Sequence, residues 1–451
     1  MGIFKAYDIR GKVPSELNPE LARKIGSAFA KLLSARRLIV GQDMRTHSPA
    51  IAEAVIEGIR DTGCDVTSIG LASTPMAYFA IGSNYCDGGL NVTASHNPGE
   101  YNGMKLCGRG ATPISAANGI LDIERMVGGD LGLKKQIMRG RLDPVDTLDR
   151  FADHVAKFSH VRQPISVAID AANGMAGYTL PPILDRLPKI RATTMLMEPD
   201  GTFPNHEANP LKEANLAPVK QLVIGSNSAL GVSFDGDADR VGFVDERGRT
   251  VGNDLMTALF AREILMERGR AAVVYDLRSS WVVREEIEKA GGIPIRDRVG
   301  HSFIKATMRA NDAVFGGELS GHYYFKDNYT CDSGEIAMIT ALNLLGNTSR
   351  PLSKMAAELR RYFGTGEINF EVEDKDAAIA MLKEQFADGR QDELDGITVE
   401  YGNLGERAWW WFNVRPSNTE SLLRLNLEAS EPKLRDQQRA ALVALLGEPR
   451  G

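Results

Sequence analysis

One polar segment of the chain reads Thr93-Ala94-Ser95-His96-Asn97-Pro98-Gly99-Glu100-Tyr101-Asn102-Gly103-Met104-Lys105. The apolar run Gly89-Leu90-Asn91-Val92 before it is typical of the end of a buried strand. The sequence Ala94-Ser95-His96-Asn97-Pro98 within it disfavours helix and strand, so we predict a loop there. Open α/β sheets place their ligand crevice at such loops. The Ser95 hydroxyl could carry phosphate there if the rest of the chain supplied a cation and basic residues.

The bulk composition is that of an ordinary soluble globular protein. The chain has 451 residues, of which 43% are hydrophobic and 25% are charged. This length suggests about three domains. The net charge of −6 argues against nucleic acid or an anionic membrane surface as a partner. A local cluster of Arg and Lys could still bind a small anion, and the oligomeric state cannot be read from the sequence.

The cysteines show no metal or redox pattern. They are scattered without a C-x-x-C spacing, which excludes a zinc ribbon and does not fit a disulfide framework: Cys64, Cys86, Cys107 and Cys331. We therefore predict reduced thiols in a cytoplasmic protein. The N-terminus has no apolar signal-peptide region, and no run of residues is long and apolar enough to span a bilayer.

The first part of the chain alternates helix and strand patterns. A short apolar strand pattern at residues 38–41 follows apolar residues at helical spacing: Leu21, Ile25, Phe29 and Leu32. This alternation predicts a parallel-sheet α/β domain. The chain becomes polar and rich in turn residues around positions 139–149. We therefore predict that the first domain spans residues 1–146.

Two further α/β domains are predicted, over residues 147–253 and 254–364. In the second, the strand pattern at residues 230–234 runs into Asp235-Gly236-Asp237-Ala238-Asp239-Arg240. In the third, residues 313–315 lead into Gly316-Gly317-Glu318-Leu319-Ser320-Gly321-His322. A buried strand thus ends in a polar loop three times, which suggests a structural repeat.

The last domain, predicted over residues 365–451, has a different pattern. Apolar and polar residues alternate at 368–372 and again at 423–427, as in half-exposed strands. A helix is predicted from about Pro432 to Leu446, with Ser430 as its N-cap. We expect a small antiparallel α+β domain, preceded by a hinge at two glycines, Gly364 and Gly366.

Three carboxylates lie close together in the second polar loop: Asp235, Asp237 and Asp239. Alternate side chains of an extended backbone point to the same side, so these charges repel one another unless a cation joins them. Carboxylate oxygens suit Mg²⁺ or Ca²⁺. An EF-hand would place Glu246 as its last ligand, but Arg240 stands where that loop needs Gly. We favour a Mg²⁺ loop over an EF-hand or a solvated acidic turn.

Other segments offer groups for an anionic or polyhydroxylated ligand. Arg415-Pro416-Ser417-Asn418-Thr419-Glu420 supplies the parts of a phosphate cradle, although Ser-Asn-Thr is also ordinary turn chemistry. Glu318 and Ser320 could bind sugar hydroxyls or could be solvated. His301 could be structural or catalytic. Two residues near the N-terminus are candidate ligand groups, Tyr7 and Arg10.

Together these loops resemble the α-D-phosphohexomutase family, specifically its phosphomannomutase/phosphoglucomutase branch. The matching segments run from end to end in family order: Lys5–Gly11, Thr93–Lys105, Asp235–Arg240, Gly317–His322 and Arg415–Glu420. The resemblance implies three related mixed-sheet α/β domains and a smaller C-terminal α+β domain around a central cleft. It also implies reversible transfer of a phosphoryl group between C1 and C6 of mannose and glucose phosphates, through a phosphoserine and a hexose 1,6-bisphosphate.

The resemblance assigns roles to individual residues. Ser95 is the implied phosphoserine, and one of its oxygens would join Asp235, Asp237 and Asp239 around Mg²⁺. Glu318 and Ser320 would hold sugar hydroxyls. The phosphate that does not react would be held by Arg415, Ser417, Asn418 and Thr419, helped by Tyr7. Further active-site positions are Arg10, Lys105, Arg240, Arg278, His301 and His322. Either Lys105 or His301 would act as the general base, and a hexose 1,6-bisphosphate would be the activator.

Some residues depart from the family pattern. Arg278 and Arg298 stand where many relatives carry Lys, which keeps the charge but changes the geometry. Ser421 replaces a common Pro. Leu319 and Asn418 point away from relatives that act on glucosamine phosphate. That activity, a metal-dependent sugar phosphatase and a non-catalytic sugar-phosphate sensor are the alternatives.

Overall fold

The computed structural model describes residues 2–129, 138–348, 350–417 and 422–450. Asn418 and Thr419 of the predicted phosphate loop lie outside the described residues. The four cysteines are free and buried, as the prediction of reduced thiols requires. Within the described ranges, none of the helices combines the length and the apolar character that a bilayer crossing demands.

The N-terminal unit forms one mixed sheet with helices around it. Its elements are β1 (Ile9–Lys12), α1 (Pro19–Leu32), β2 (Arg37–Gln42), α2 (Ser48–Asp61), β3 (Asp65–Leu71), α3 (Thr74–Ser83), β4 (Gly88–Val92), β5 (Tyr101–Gly108), α4 (Ile120–Gly128) and β6 (Leu142–Pro144). The strand order is β1-β5-β4-β2-β3-β6. β2 is parallel to β3 and β4, as predicted. However, β5 is antiparallel to β4, and β1 to β5, so the sheet is not wholly parallel.

The Ser95 loop is followed by a strand that the local sequence does not predict. β5 begins at Tyr101, and Lys105 lies on this strand opposite Asn91 of β4. The polar residues of β5 pair because the turn before Tyr101 returns the chain to the free edge of β4, where its backbone groups find partners. Gly103 allows β1 to approach, since a Cβ there would lie 2.1 Å from the Ile9 carbonyl oxygen.

The second and third units follow the same plan. The second contains α5 (Leu148–Ala156), β7 (Ile165–Asp170), α6 (Ala176–Asp185), β8 (Ile190–Met195), α7 (Ala217–Ser226), β9 (Leu230–Phe234), β10 (Val241–Asp245) and β11 (Thr250–Val251). The third contains α8 (Asn253–Arg268), β12 (Ala272–Asp276), α9 (Trp281–Lys289), β13 (Ile293–Asp297), α10 (His301–Ala310), β14 (Phe315–Gly317), β15 (Tyr323–Phe325), β16 (Cys331–Asp332), α11 (Gly334–Gly346) and α12 (Leu352–Leu359).

The three units share one strand pattern, which confirms the suggested repeat. A central strand (β2, β7 or β12) is parallel to both neighbours, and one neighbour (β4, β9 or β14) continues into an antiparallel partner (β5, β10 or β15). The three polar loops all make this last connection. Equivalent positions in three sheets thus carry the hydroxyl, the carboxylates and the Glu-Ser-His group.

The fourth unit is antiparallel α+β, as predicted. It contains β17 (Phe363–Phe370), α13 (Lys375–Gln385), β18 (Arg390–Asp392), β19 (Ile397–Tyr401), β20 (Trp410–Pro416), β21 (Leu423–Ala429), α14 (Pro432–Leu446) and β22 (Pro449–Arg450). Gly364 and Gly366, interpreted from the sequence as a hinge, lie inside β17 at a β-bulge. Glu431 rather than Ser430 is the N-cap of α14, because the Ser430 hydroxyl accepts a hydrogen bond from the Trp409 N–H instead.

Several separate apolar cores support the units around the site, and one of them lies within the first unit around Phe29 and Val55. One continuous core joins the first three units and includes Tyr78 of α3, Phe234 and Phe325. The fourth unit has its own core around Phe370 and Phe412. Its contact with the third unit includes an aromatic pair, with the Trp281 and Trp409 rings stacked at 4.3 Å between centroids, and ion pairs from Arg296 to Asp392 and Glu400. The apolar part of this contact consists of three buried tryptophans, Trp281, Trp409 and Trp411, and is smaller than the core that joins the first three units.

Candidate active site

The three equivalent loops and the fourth unit face a common cleft of about 620 Å³. The cleft brings together most of the predicted site residues: Tyr7, Arg10, Lys105, Arg240, Arg278, His301, Glu318, Ser320, His322, Arg415 and Ser417. Ser95 and the three carboxylates of the Asp loop lie just beneath its surface and are at most 1% exposed. Positions as far apart in sequence as Tyr7 and Ser417 therefore share one site.

Ser95 sits at the tip of the β4–β5 connection in an unusual backbone conformation. Its φ is +51°, a left-handed geometry that residues other than Gly seldom adopt. The Ser95 hydroxyl donates a hydrogen bond to Oδ2 of Asp235 at 2.7 Å, and its amide donates to the Thr93 hydroxyl at 3.0 Å. Gly236 allows the Asp loop to pass close by, because a Cβ there would lie 2.4 Å from the Ser95 carbonyl oxygen.

Arg45 holds the Ser95 loop from behind, a role that the sequence analysis missed. The side chain is fully buried. Its guanidinium donates to the main-chain oxygens of Ser95 at 2.7 Å, Asn97 at 2.6 Å and Pro98 at 2.7 Å, while Nε lies 3.2 Å from a carboxylate oxygen of Asp43. A planar guanidinium suits several carbonyl acceptors at once, so Arg45 fixes the loop geometry.

The Asp loop forms a cluster suited to a cation. Oxygens of Asp235, Asp237 and Asp239 lie within 4.8 Å of one another. Among the described residues, Oδ1 of Asp237 and Oδ1 of Asp239 are buried without a hydrogen-bond partner. Burial and the neighbouring charges of Asp237 and Asp239 raise the pKa of Asp235 well above its usual range. A divalent cation would satisfy the orphaned oxygens and relieve this repulsion.

Lys105 and Thr74 share the carboxylates of this loop. The Lys105 ammonium lies 2.7 Å from Oδ2 of Asp237 and also contacts Asp239. The Thr74 hydroxyl, at the start of α3, donates to Asp237 at 2.6 Å. Burial alone would lower the pKa of Lys105, but the two carboxylates overcome burial and raise it. Lys105 is therefore held as a cation between the two carboxylates.

Arg10 connects the N-terminal strand to the Ser95 loop. Its guanidinium donates to the Asn97 side-chain oxygen at 2.6 Å and pairs with Asp8. Burial would lower the pKa of Arg10, but Asp8 outweighs burial and raises it. The result is a permanent positive charge at the cleft wall beside the Ser95 loop.

The third loop forms a hydrogen-bonded group around His322. Nδ1 of His322 lies 2.9 Å from the Ser320 hydroxyl and 3.2 Å from Glu318, and Nε2 lies 3.5 Å from Asp239. Nε of Arg240 lies 3.2 Å from the same Nε2. Burial and Arg240 oppose a charged imidazole, but Asp239 and Glu318 prevail and raise the pKa of His322 to about 9.

Glu318 is an ionised acceptor. Its carboxylate accepts hydrogen bonds from the Gly300 amide at 2.9 Å and the Tyr324 hydroxyl at 2.5 Å. Burial would raise the pKa of Glu318, but the contacts with His322 and Tyr324 and the charge of Arg278 lower it to about 2. A carboxylate held in this state can accept hydrogen bonds from ligand hydroxyls.

His301 begins α10 and faces the cleft as a neutral imidazole. Burial, together with the charges of Lys305 and Lys105, lowers the pKa of His301 well below its usual value. Within the described part of the chain, its Nδ1 is buried without a hydrogen-bond partner. The Tyr7 ring packs edge-on against it, with the centroids 5.4 Å apart. His301 is therefore held neutral at the cleft, whereas Lys105 keeps its proton.

Arginines from two units meet at the far end of the cleft. Arg415 is 2% exposed, and its guanidinium lies 3.0 Å from Glu367. Arg278 is bound to Asp276 at 2.7 Å. Burial and the charge of Arg278 lower the pKa of Arg415. The Ser417 amide donates to the Leu422 carbonyl oxygen at 2.8 Å, which orients the start of the predicted phosphate loop.

Family models match this chain in four consecutive parts. The models described as phosphoglucomutase/phosphomannomutase, alpha/beta/alpha domains I, II and III, match residues 1–128, 149–248 and 252–362, and the model of the C-terminal domain matches residues 367–445. The chain belongs to the phosphoglucomutase/phosphomannomutase family. It is thus an isomerase of the mutase type, which transfers a phosphoryl group, and the resemblance seen in its motifs is confirmed.

Individual members of the phosphoglucomutase/phosphomannomutase family are similar over almost the whole length. Phosphomannomutase from Salmonella typhimurium is 36% identical over 99% of both chains. Phosphomannomutase from Methanocaldococcus jannaschii is 40% identical over 96% of this chain and 94% of its own. The solved phosphoglucomutase/phosphomannomutase family protein from Burkholderia thailandensis is 30% identical, with a TM-score of 0.90 over 99% of this chain and 98% of its own.

Four residues of the site were not found from the sequence: Asp8, Arg45, Thr74 and Glu367. Arg45 and Thr74 are each the third residue after the end of a strand, β2 and β3, at the same edge of the sheet as the Ser95 loop. Polar residues at the carboxyl ends of neighbouring parallel strands were therefore a usable indication. Glu367 lies on a strand of the fourth unit next to a bulge, and local sequence offered no comparable indication.

Proposed function

We propose that the protein interconverts the 1-phosphates and 6-phosphates of mannose and glucose through a phosphorylated Ser95. The observation that carries this proposal is the position of the Ser95 hydroxyl. It is held by a fixed loop, 2.7 Å from Asp235 of a carboxylate cluster suited to a cation, just beneath a cleft that is lined by basic side chains. The names of the phosphomannomutase relatives support the mannose substrate, and the predicted contacts to shared hydroxyls support glucose as well.

In the proposed reaction, phosphoserine 95 donates its phosphoryl group to the free hydroxyl of a hexose phosphate. The bond between phosphorus and Oγ breaks, and a bond between phosphorus and the sugar oxygen forms. His301 takes the proton of that sugar hydroxyl, and Oγ leaves with the electron pair of the broken bond. The hexose 1,6-bisphosphate then turns over, and Oγ attacks its other phosphoryl group. The sugar oxygen released in this second transfer takes the proton back from His301, so no net proton is consumed over a full cycle. Positioning and charge stabilisation dominate such a transfer.

The residues that would hold Mg²⁺ are Asp235, Asp237 and Asp239, together with an oxygen of phosphoserine 95. When bound, the ion would supply positive charge against the transferring phosphoryl group. Lys105, Arg10 and Arg240 add fixed positive charge around the same region. A hexose 1,6-bisphosphate would act as activator, because it can phosphorylate a Ser95 that has lost its phosphate.

The other cleft residues would bind the sugar and its second phosphate. Glu318 would accept hydrogen bonds from sugar hydroxyls, and Ser320 would accept or donate them, in either orientation of the sugar. The charged His322 would assist both. Arg415, Ser417 and Arg278, together with Tyr7 and the loop residues Asn418 and Thr419, would hold the phosphate that does not react. We assign these groups to four domains, over residues 1–146, 147–253, 254–364 and 365–451.

The test is a product assay with a matched variant pair. Glucose 1-phosphate or mannose 1-phosphate is supplied with Mg²⁺ and a trace of the hexose 1,6-bisphosphate, and the 6-phosphate and free phosphate are both measured. We expect the 6-phosphate from the wild type and from Ser233→Ala, which alters an equally buried serine on β9. Ser95→Ala should lose the activity by at least about a thousandfold. Full isomerase activity in Ser95→Ala, or release of free phosphate alone, would overturn the proposal.

A further inference from the structure

Three arginines at the far end of the cleft converge on one carboxylate. Glu367 accepts from Arg415 at 3.0 Å and from Arg424 at 3.1 Å, and it lies 3.8 Å from Arg278. Burial would raise the pKa of Glu367, but the three guanidinium groups outweigh burial and lower it. The carboxylate is therefore an internal anion beside Arg415 and Arg278, which the proposed function assigns to the phosphate that does not react. These two arginines and Arg424 form the phosphate cradle.

Strand pairing explains why the arginines need an anion. Arg415 of β20 stands directly opposite Arg424 of β21, and like charges in this position repel each other. β17 pairs with the other edge of β21 and brings Glu367 within reach of both side chains. The bulge between Gly364 and Glu367 changes the register there. Glu367 thus offsets a repulsion that the neighbouring strands create.

The remaining charges near the cradle are distributed unevenly. Arg278 is doubly bound to Asp276, at 2.7 and 3.3 Å, so it already has a partner of its own. Asp395 also adds negative potential at Arg415. Within the described residues, Nε of Arg415 is buried without a hydrogen-bond partner. A donor in that state favours an additional oxygen ligand, which a phosphate could supply.

We propose that Glu367 is a positioning residue that competes with the substrate phosphate for Arg415 and Arg424 and so weakens the grip of the cradle. This inference rests on the proposed function, because the bisphosphate must leave the cradle and return in the opposite orientation within each cycle. A cradle with uncompensated arginines would hold either phosphate too long. Glu367 keeps the guanidinium groups arranged for phosphate while it limits the affinity.

The experiment compares Glu367→Gln with Glu371→Gln by calorimetric titration with inorganic phosphate. Glu371 is an exposed residue just beyond β17 that pairs with Arg450, so its substitution removes the same charge away from the cradle. We expect Glu367→Gln to bind phosphate about tenfold more tightly than the wild type, the order expected for one partly exposed charge partner. Glu371→Gln should bind phosphate like the wild type. In steady-state kinetics, both kcat and KM of Glu367→Gln should be lower than those of the wild type.

Two further variants separate this role from a structural one. Glu367→Gln combined with Arg424→Gln restores the net charge and should return the phosphate affinity to within about threefold of the wild type. Glu367→Asp withdraws the carboxylate from the arginines and should tighten phosphate binding less than Glu367→Gln does. This variant also tests the inference if Glu367→Gln does not fold. Unchanged or weaker phosphate binding in folded variants would overturn the inference. If the wild type did not interconvert sugar phosphates, the proposed function would fail instead.

Discussion

The guanidinium of Arg45 donates a hydrogen bond to the main-chain oxygen of Ser95 at 2.7 Å, although the two residues are far apart in sequence. The bond ties the end of β2 to the loop that follows β4. Because Ser95 has a φ of +51°, its backbone is held in a conformation that costs about 1–3 kcal/mol unless the surroundings impose it. Arg45 supplies much of that constraint.

Arg45→Lys should therefore impair the reaction more than substrate binding. An ammonium keeps the charge beside Asp43 but cannot reach several carbonyl oxygens in one plane. We expect kcat to fall by about 10- to 100-fold, as for a small misplacement of a reacting group, while KM changes little. Steady-state kinetics would show this split. Arg60→Lys is the control, since Arg60 also donates to a carbonyl oxygen, that of Gly140, but lies away from the cleft. Equal kcat in both variants would refute the role of Arg45.

The orphaned oxygens of the Asp loop lead to a prediction about metal dependence. Asp237→Asn replaces a buried carboxylate whose Oδ1 has no hydrogen-bond partner in the described residues. We expect the Mg²⁺ concentration for half-maximal activity to rise by at least about tenfold, and chelation by EDTA to abolish the wild-type activity reversibly. The control is Asp245→Asn, because Asp245 is equally buried at the far end of the β9–β10 hairpin and binds Arg249. A similar shift in both variants would contradict a metal site at Asp237.

Much of this architecture could be predicted from local patterns, and the reasons are physical. The strand at residues 230–234 was predicted with its observed bounds, because a short apolar run before a charged loop has few alternatives. The beginning of β5 at Tyr101 was missed, since its polar residues pair only because β4 lies beside them. Arg45 and Glu367 act through contacts between distant segments. The position of Arg45 after the carboxyl end of a strand gives some indication of its role, whereas the local sequence around Glu367 gives none.

His301 and Lys105 were equal candidates for the general base, and their surroundings now separate them. The pKa of His301 is lowered by burial and by nearby lysines, whereas carboxylates raise that of Lys105. We expect His301→Asn to lower kcat by about 10²- to 10⁴-fold, the range for general acid–base groups. His154→Asn is the control, as His154 binds Asn328 outside the cleft. A kcat near the wild-type value in His301→Asn would return the role to Lys105.

Glu428 makes the contact between the third and fourth units sensitive to pH. Its carboxylate accepts hydrogen bonds from the Trp281 amide at 2.8 Å and from the Trp411 indole at 3.1 Å. Burial raises the pKa of Glu428 to about 7, against the effect of these donors. The folded protein therefore binds a proton more tightly than the unfolded chain. The stability that this proton contributes is fully present below the ordinary pKa of Glu and is lost as the pH rises through about 7.

Glu428→Gln should accordingly behave like the protonated protein at every pH. We expect its melting temperature to match that of the wild type near pH 4, below the ordinary pKa of Glu, and to exceed it by several degrees at pH 8. The gap corresponds to as much as about 3 kcal/mol, because each unit of pKa shift is worth about 1.4 kcal/mol. Calorimetric melting at both pH values checks this, with Glu371→Gln as an exposed control. Glu335, also buried with a pKa raised to about 7, is unchanged in both proteins, so it cancels from the difference. A gap that did not change with pH would show that Glu428 keeps one protonation state throughout.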